Sequence, residues 1–310
     1  MKRLVNTKGM DTLTWLKYRR MGVCGSDAGI VLGLSSHKSI IELWKDKSNQ
    51  IPIEETGNNF THFGHLLEPI IRKEFSRQTG YKVEVRNCIF QSETHPFILA
   101  DIDGIVTLED GSKAIFEAKT AIEWKNDTWQ EGVVPPAYYA QLQHYMYVCD
   151  LNKAYIACLV GGNKFYFQLV ERNDEYIEML IEKEKTFWDH VQDLSMPEVD
   201  GSKATVTYLN NEYASSIKDE VLLPEEAGSV AEQYLILDET IKNLSSEKDM
   251  LANKLKVFMK EHEMGVAGSH RIEWKAVTRT SLDSAKVKEV LGKDLDKYIK
   301  STSYRKLSVA

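Results

Sequence analysis

Two strand-like runs, Phe97–Thr107 and Lys113–Ala118, flank a turn segment containing Glu109-Asp110-Gly111, which constrains the middle of the chain to a β-hairpin. The first arm carries Asp103-Gly104 and the second carries Glu117-Ala118-Lys119. Side chains alternate faces along a strand, so Glu117 and Lys119 share a face roughly 6.5–7 Å apart while Ala118 points away. Asp103 joins them in one register only. For Asp103 to lie opposite Glu117, the turn must be the three-residue Glu109-Asp110-Gly111 with Gly111 left-handed. A two-residue Asp110-Gly111 turn without a bulge puts the two carboxylates on opposite faces. Asp101 shares a face with Asp103 and competes with it. Asp103 is preferred because Gly104 would let the backbone approach a ligand closely. Two carboxylates and an ammonium at one point can hold a hard cation and act on a phosphate ester.

The elements around this hairpin follow from periodicity and punctuation. Residues 11–20 and 26–34 read as helices around Gly22-Val23-Cys24-Gly25-Ser26-Asp27, with Ser26 or Asp27 able to cap the second, and Ser39–Asp46 reads as a third. Residues 48–61 are polar and loop-like. From Phe63 to Gln78 a helix carries Leu67, Ile70, Ile71 and Phe75, with Gly80 just past its end. Tyr81–Phe90 is strand-like and precedes the hairpin. Beyond it come a helix over Pro136–Val148, strands Ala154–Val160 and Phe165–Val170 around Gly161-Gly162-Asn163, and an amphipathic helix over Asn173–Asp193. This order predicts an α/β fold with a central mixed sheet flanked by helices.

A boundary is expected at Pro197-Glu198-Val199-Asp200-Gly201-Ser202, giving a core over 1–196, a linker over 197–225 and an accessory region over 226–310. There Tyr234, Leu237, Ile241, Leu244, Lys248, Leu251, Leu255 and Phe258 recur at 3–4 spacing, an a/d seam that suits either a coiled coil with a partner or a helix packed on its own domain. A strand over Arg271–Thr280, a short helix over Asp283–Leu291 and a last strand over Tyr304–Val309 complete a small accessory unit.

Further members of the site can be sought along the chain. Pro69 is poor in a helix interior, so its helix is expected to begin close by, with Glu68 at the N-terminus where the dipole favours a carboxylate; a simple cap is the alternative. Gln141 and Gln143 lie in an otherwise aromatic and apolar helix, where a buried amide needs partners that an active site would supply. His65, His95 and His144 lack zinc spacing.

The chain's net charge is −7, which at first argues against nucleic acid. Residues 201–310 hold 17 basic and 17 acidic side chains, so the acidic excess lies in residues 1–200, beside the carboxylate cluster that bound cations would offset. Gripping a few phosphates needs only a local basic patch, and Lys17-Tyr18-Arg19-Arg20 and the Arg72/Lys73/Arg77 group are candidates. No apolar run approaches the ~20 residues of a membrane span, and the start MKRLVNTKGM lacks a secretory signal's apolar stretch. Cys24, Cys88, Cys149 and Cys158 form no C-x-x-C pair, as expected of buried free thiols in a reducing cytoplasm.

Taken together, these motifs resemble the PD-(D/E)xK nuclease superfamily and, within it, the YqaJ-like viral recombinase family of lambda-exonuclease type. Trp15, Arg19-Arg20-Met21-Gly22-Val23-Cys24-Gly25-Ser26-Asp27, Gly64 with Glu68-Pro69, Asp103-Gly104, Glu117-Ala118-Lys119 and Tyr139-Ala140-Gln141-Leu142-Gln143 carry the resemblance, over about Trp15 to Trp188. Ile102 stands where the superfamily's nominal motif has Pro. The resemblance implies a DNA exonuclease that resects one strand of linear double-stranded DNA from its 5′ end. Arg20 (with Arg19 as alternative) and Ser26 would hold the 5′-phosphate. Asp103, Glu117 and the Ala118 carbonyl would ligate one or two Mg²⁺ ions, which Mn²⁺ could replace, with Glu68 at the second metal or its water. Lys119 and Gln141 would orient or activate the attacking water. It further implies a homo-oligomeric ring around DNA, a single-strand annealing protein as partner, and a phage or prophage origin in a bacterial cytoplasm. An endonuclease or repair nuclease of the same superfamily and a non-enzymatic recombination adaptor are the rival readings. Intact site positions count against the adaptor.

Overall fold

A computed structural model describes residues 2–53, 59–129, 132–300 and 304–309. The chain divides into two units, Met1–Glu212 and Tyr213–Ala310. In chain order the first unit comprises β1 (Lys2–Asn6), α1 (Thr12–Arg20), β2 (Val23–Cys24), α2 (Gly25–Val31), α3 (Ile40–Lys47), α4 (Asn59–Thr79), β3 (Val83–Val85), β4 (Cys88–Gln91), β5 (Ile98–Asp101), β6 (Gly104–Thr107), β7 (Lys113–Ala121), α5 (Pro136–Cys149), β8 (Lys153–Val160), β9 (Lys164–Glu171), α6 (Asp174–Gln192) and α7 (Lys203–Glu212). It is a mixed α/β structure whose strands form two sheets, ordered β1-β4-β5-β2 and β3-β6-β7-β8-β9. In the first β2 and β5 are parallel, in the second β7 and β8; the other pairings are antiparallel.

The expected single strand over Phe97–Thr107 is two strands. β5 belongs to one sheet and β6 to the other, and Ile102-Asp103 spans them. The expected strand Tyr81–Phe90 divides in the same way into β3 and β4. Apolar periodicity cannot show such a switch, because both strands are buried and the alternation continues across the break.

The two faces of the five-stranded sheet form separate cores. Phe116 faces α4, where Ile71 and Phe75 pack with Val106 and Ala157, and the Phe75 and Phe116 rings lie 4.9 Å apart. Ile115 faces α5, where Leu142 and Met146 pack with Ile105, Ile156 and Cys158. Burying each such side chain stabilises the fold by about 1.5–3 kcal/mol. Local signals set the helix ends. Ser39 and Glu42 form a reciprocal capping box at α3, and the Asn173 side chain accepts from the Tyr176 N–H at 3.0 Å at the start of α6. Gly80, with φ +77°, ends α4.

Several sequence expectations fail here. α4 does not begin at Pro69 but ten residues earlier, with Pro69 inside it, so Glu68 lies mid-helix and not at an N-terminus. Tertiary packing of Ile71 and Phe75 holds the helix through a residue that would weaken an isolated one. The first unit also runs beyond the expected boundary at 196, because α7 packs Tyr208 and Leu209 against the buried cluster that holds Ile41, Leu43 and Trp44 of α3. In the second unit, α8 (Glu226–Met259) is one 34-residue helix, followed by the hairpin β10 (Met264–Ala267) and β11 (His270–Glu273) and by α9 (Ser284–Leu291). The strand expected over Arg271–Thr280 is confined to β11, and Tyr304–Val309 forms no strand. The seam residues Tyr234, Leu237, Ile241, Leu244, Leu251, Leu255 and Phe258 are exposed.

Candidate active site

The register that the site depends on is present. Gly104 pairs with Phe116 and Thr107 with Lys113, the Leu108 N–H donates to the Ser112 carbonyl at 2.9 Å, and Gly111 is left-handed at φ +79°. The turn is therefore Glu109-Asp110-Gly111, and the same register, extended one step beyond the paired residues, sets Asp103 opposite Glu117. The same parity directs the Ala118 N–H toward Asp103, whose Oδ2 accepts it at 2.8 Å. A strand residue's N–H and C=O point to the same edge, so the Ala118 carbonyl also faces the Asp103 side. Gly104 has a different function from the one expected. A Cβ there would sit 2.6 Å from Val83 Cγ1 and 3.0 Å from the Glu84 carbonyl oxygen, so the glycine admits β3 and not a ligand.

Around this pair a cleft of about 770 Å³ is lined by Glu68, Asp101, Asp103, Glu117, Lys119 and Gln141, with Trp15, Arg19, Ser26, Tyr138 and Tyr145. Glu117 is buried, and its Oε1 accepts from Lys119 Nζ at 2.7 Å and from Gln141 Nε2 at 2.8 Å. Among the described residues its Oε2 is a buried oxygen with no hydrogen-bond partner. Lys119 Nζ also lies 4.8 Å from the Tyr138 ring centroid. Gln141 donates to Tyr145 Oη at 2.9 Å, and that hydroxyl donates to the Asp101 carbonyl at 2.9 Å. Gln143, by contrast, is structural, bonding the Glu171 carbonyl and the Asn173 N–H. Glu68 projects from α4 and pairs with Arg72 one turn on.

The electrostatics show a site short of positive charge. Burial, then the neighbouring Asp103 charge, raises Glu117 to about 8. Burial and Asp103 likewise raise Glu68 to about 7, and burial raises Asp103. Burial disfavours the Lys119 ammonium, but the charges of Glu117, Tyr138 and Asp103 and the Glu117 hydrogen bond together outweigh it, and its pKa is raised, which favours the cation. Among the described residues no three His, Cys, Asp or Glu side chains gather tightly enough to cage a cation. The set fits a hard divalent ion that takes two carboxylates and a backbone oxygen and keeps waters, as Mg²⁺ does. The orphaned Glu117 Oε2 would supply a ligand position.

A second group lies beside the carboxylates. Arg19 donates to Ser26 Oγ at 2.5 Å, and its guanidinium lies 4.5 Å from the Trp15 ring centroid. Trp15 Nε1 donates to Asp101 Oδ2 at 2.6 Å, which occupies the carboxylate that competed with Asp103. Arg20, placed first on the sequence, turns away. It pairs with Asp46 at 2.5 Å and donates to the Ile51 carbonyl at 3.1 Å. The structure thus brings Arg19, and not Arg20, beside Ser26. Sequence reasoning missed Tyr145 and Tyr138, although their spacing of four and three residues from Gln141 puts them on its helical face.

Fold and site together define an α/β protein with an Asp at the entry to one strand beside a Glu-x-Lys set on the next, joined by a glutamate and a glutamine from flanking helices. The YqaJ-like viral recombinase domain matches residues 14–152. The chain is 36% identical over 310 residues to YqaJ of Bacillus subtilis, an uncharacterized protein, covering 99% of this chain and 96% of that one. It belongs to the YqaJ-like viral recombinase family. Among solved structures it is similar to an alkaline exonuclease from Laribacter hongkongensis (TM-score 0.47, 18% identity, 66% of this chain and 98% of that one). It is also similar to a phage-related exonuclease from Haemophilus somnus (TM-score 0.45, 16% identity, 58% and 97%).

Proposed function

We propose that the protein is a Mg²⁺-dependent deoxyribonuclease that resects linear duplex DNA from 5′-phosphorylated ends, leaving single strands for recombination. The observation that carries this reading is the unpartnered, buried Oε2 of Glu117 in the cleft that Asp103 and Glu68 also line, all three carboxyls being raised by burial and by neighbouring carboxylates. A divalent cation bound among these carboxyls would favour their ionised forms. Asp103, Glu117 and the Ala118 carbonyl would hold the ion, with Glu68 serving a second ion or a water. Bound there, the ion supplies positive charge to the phosphate oxygens and lowers the pKa of water. Lys119 is held at the site as an ammonium that orients the attacking water, while Gln141 fixes the Glu117 carboxylate. Arg19 and Ser26 would bind the terminal phosphate, a doubly charged group suited to a guanidinium. Membership of a viral recombinase family supports the biological setting.

The test compares digestion of linear duplexes carrying a 5′-phosphate or a 5′-hydroxyl, with closed circular DNA as a third substrate. Faster loss of the phosphorylated strand is expected, with circles untouched; cutting of circles would favour the endonuclease reading. Asp103→Ala and Glu117→Ala are each expected to abolish digestion while leaving the circular-dichroism spectrum unchanged. Full activity in either variant would sink the assignment.

A further inference from the structure

We infer that Lys47 is a positioning residue for end recognition: its buried ammonium sets the Arg19–Ser26 pair from behind and thereby fixes the preference for a 5′-phosphoryl end. This rests on the role proposed for that pair. Lys47 is the last residue of α3, and its side chain is 4% exposed. Its Nζ donates to the Arg19 carbonyl at 2.8 Å and pairs with Asp27 Oδ2 at 2.7 Å. Asp27 directly follows Ser26, and its Oδ2 also accepts the Cys24 N–H at 2.9 Å. One cation therefore touches the backbone of the arginine and the neighbour of the serine.

Nothing about simple packing asks for a lysine here. Burying an ammonium and a carboxylate is expensive, and apolar side chains of similar volume fill such space at least as well. What the ammonium adds is several donors that reach two elements from one point. The final turn of α3 in fact clamps the final turn of α1 twice, through Asp46 on Arg20 and through Lys47 on Arg19. With Arg20 tied outward and the Arg19 backbone fixed, the Arg19 side chain is directed into the cleft and onto Ser26. Burial opposes ionisation of Asp27, but the Lys47 and Arg19 charges, with the hydrogen bonds from Lys47 and the Cys24 N–H, together outweigh it and hold its carboxyl below the ordinary range, so the clamp is ionic.

The test is equilibrium binding of the full chain, in EDTA, to fluorescent linear duplexes differing only in a 5′-phosphoryl or 5′-hydroxyl end. Wild type is expected to prefer the phosphoryl end. Lys47→Met should lower that preference about tenfold, as misplacing a positioning contact by a fraction of an ångström does. Affinity for the hydroxyl end should hardly change, and Lys47→Arg should recover most of the preference. If Lys47→Met does not fold, Lys47→Met with Asp27→Asn removes both charges, keeps an acceptor for the Cys24 N–H and carries the same expectation. A preference kept within twofold in either folded variant, or an equal loss on both ends, overturns the inference. Absence of preference in wild type instead removes the end-recognition reading, and the inference falls with it.

Discussion

At the scale of single residues, side-chain chemistry was legible where backbone parity fixes position. Asp103, Glu117 and Lys119 sit where alternation along a hairpin puts them, and Gln141 follows because a buried amide must find partners. The choice between Arg19 and Arg20 was not legible. It is made by Asp46, 26 residues away on another helix, which captures Arg20. The two arginines therefore have different expected phenotypes. Arg20→Ala should lower stability by about 1–3 kcal/mol, as losing charged hydrogen bonds in a half-buried setting does, and leave the phosphate preference in place. Arg19→Ala should also cost some stability, through the Trp15 ring and Asp27, and unlike Arg20→Ala should cut the ratio of kcat/KM for 5′-phosphoryl over 5′-hydroxyl ends by about tenfold or more, one charge-assisted contact being worth roughly that. Chemical denaturation and paired kinetics separate the outcomes. Equal effects of the two variants on the ratio would contradict this assignment.

At the scale of elements, the long helices and the β8–β9 hairpin were readable because apolar periodicity and caps agree. The division of β5 from β6 and the position of Pro69 were not, since both are decided by what packs against the segment. Close approaches between elements give the sharpest expectations. A Cβ at Gly25 would lie 2.2 Å from Tyr145 Cε1, and that ring links Gln141 to the Asp101 carbonyl. Gly25→Ala should therefore displace the ring, loosen Gln141 from Glu117 and reduce kcat together with the melting temperature. Gly104→Ala forces β3 away from β6 and should cost about 1–3 kcal/mol, as overpacking a filled site does. Measured melting shifts near zero for both would show that the α2–α5 and β3–β6 contacts yield more readily than their spacing indicates.

At the scale of the whole molecule, the site's charge should govern stability. Glu68 and Glu117 have folded-state pKa values raised to about 7 and about 8, above ordinary carboxyl values. A group with a raised folded pKa contributes stability that is present below its unfolded value and lost as pH rises through the folded one. Without divalent ions, the melting temperature should therefore fall from about pH 4.5, where an unfolded glutamate ionises, to about pH 8 and then level off, and Mg²⁺ should raise it more at the higher pH. Glu117→Gln should flatten both trends, and a magnesium shift independent of pH would count against the carboxylate cluster as its origin. The sequence foretold a mixed α/β core, but the division it expected at 196 falls short of α7, whose packing with α3 shows only in three dimensions. The passage of the chain from one sheet to the other at Ile102-Asp103 has a practical consequence for protein engineering. Ile89 is paired with Asp101 in the first sheet, and Val106 lies two residues beyond Gly104 in the second, so both buried positions lead to the same two-residue span. A mutant library that spared every cleft residue yet randomised Ile89 and Val106 would still be a library of active-site geometries.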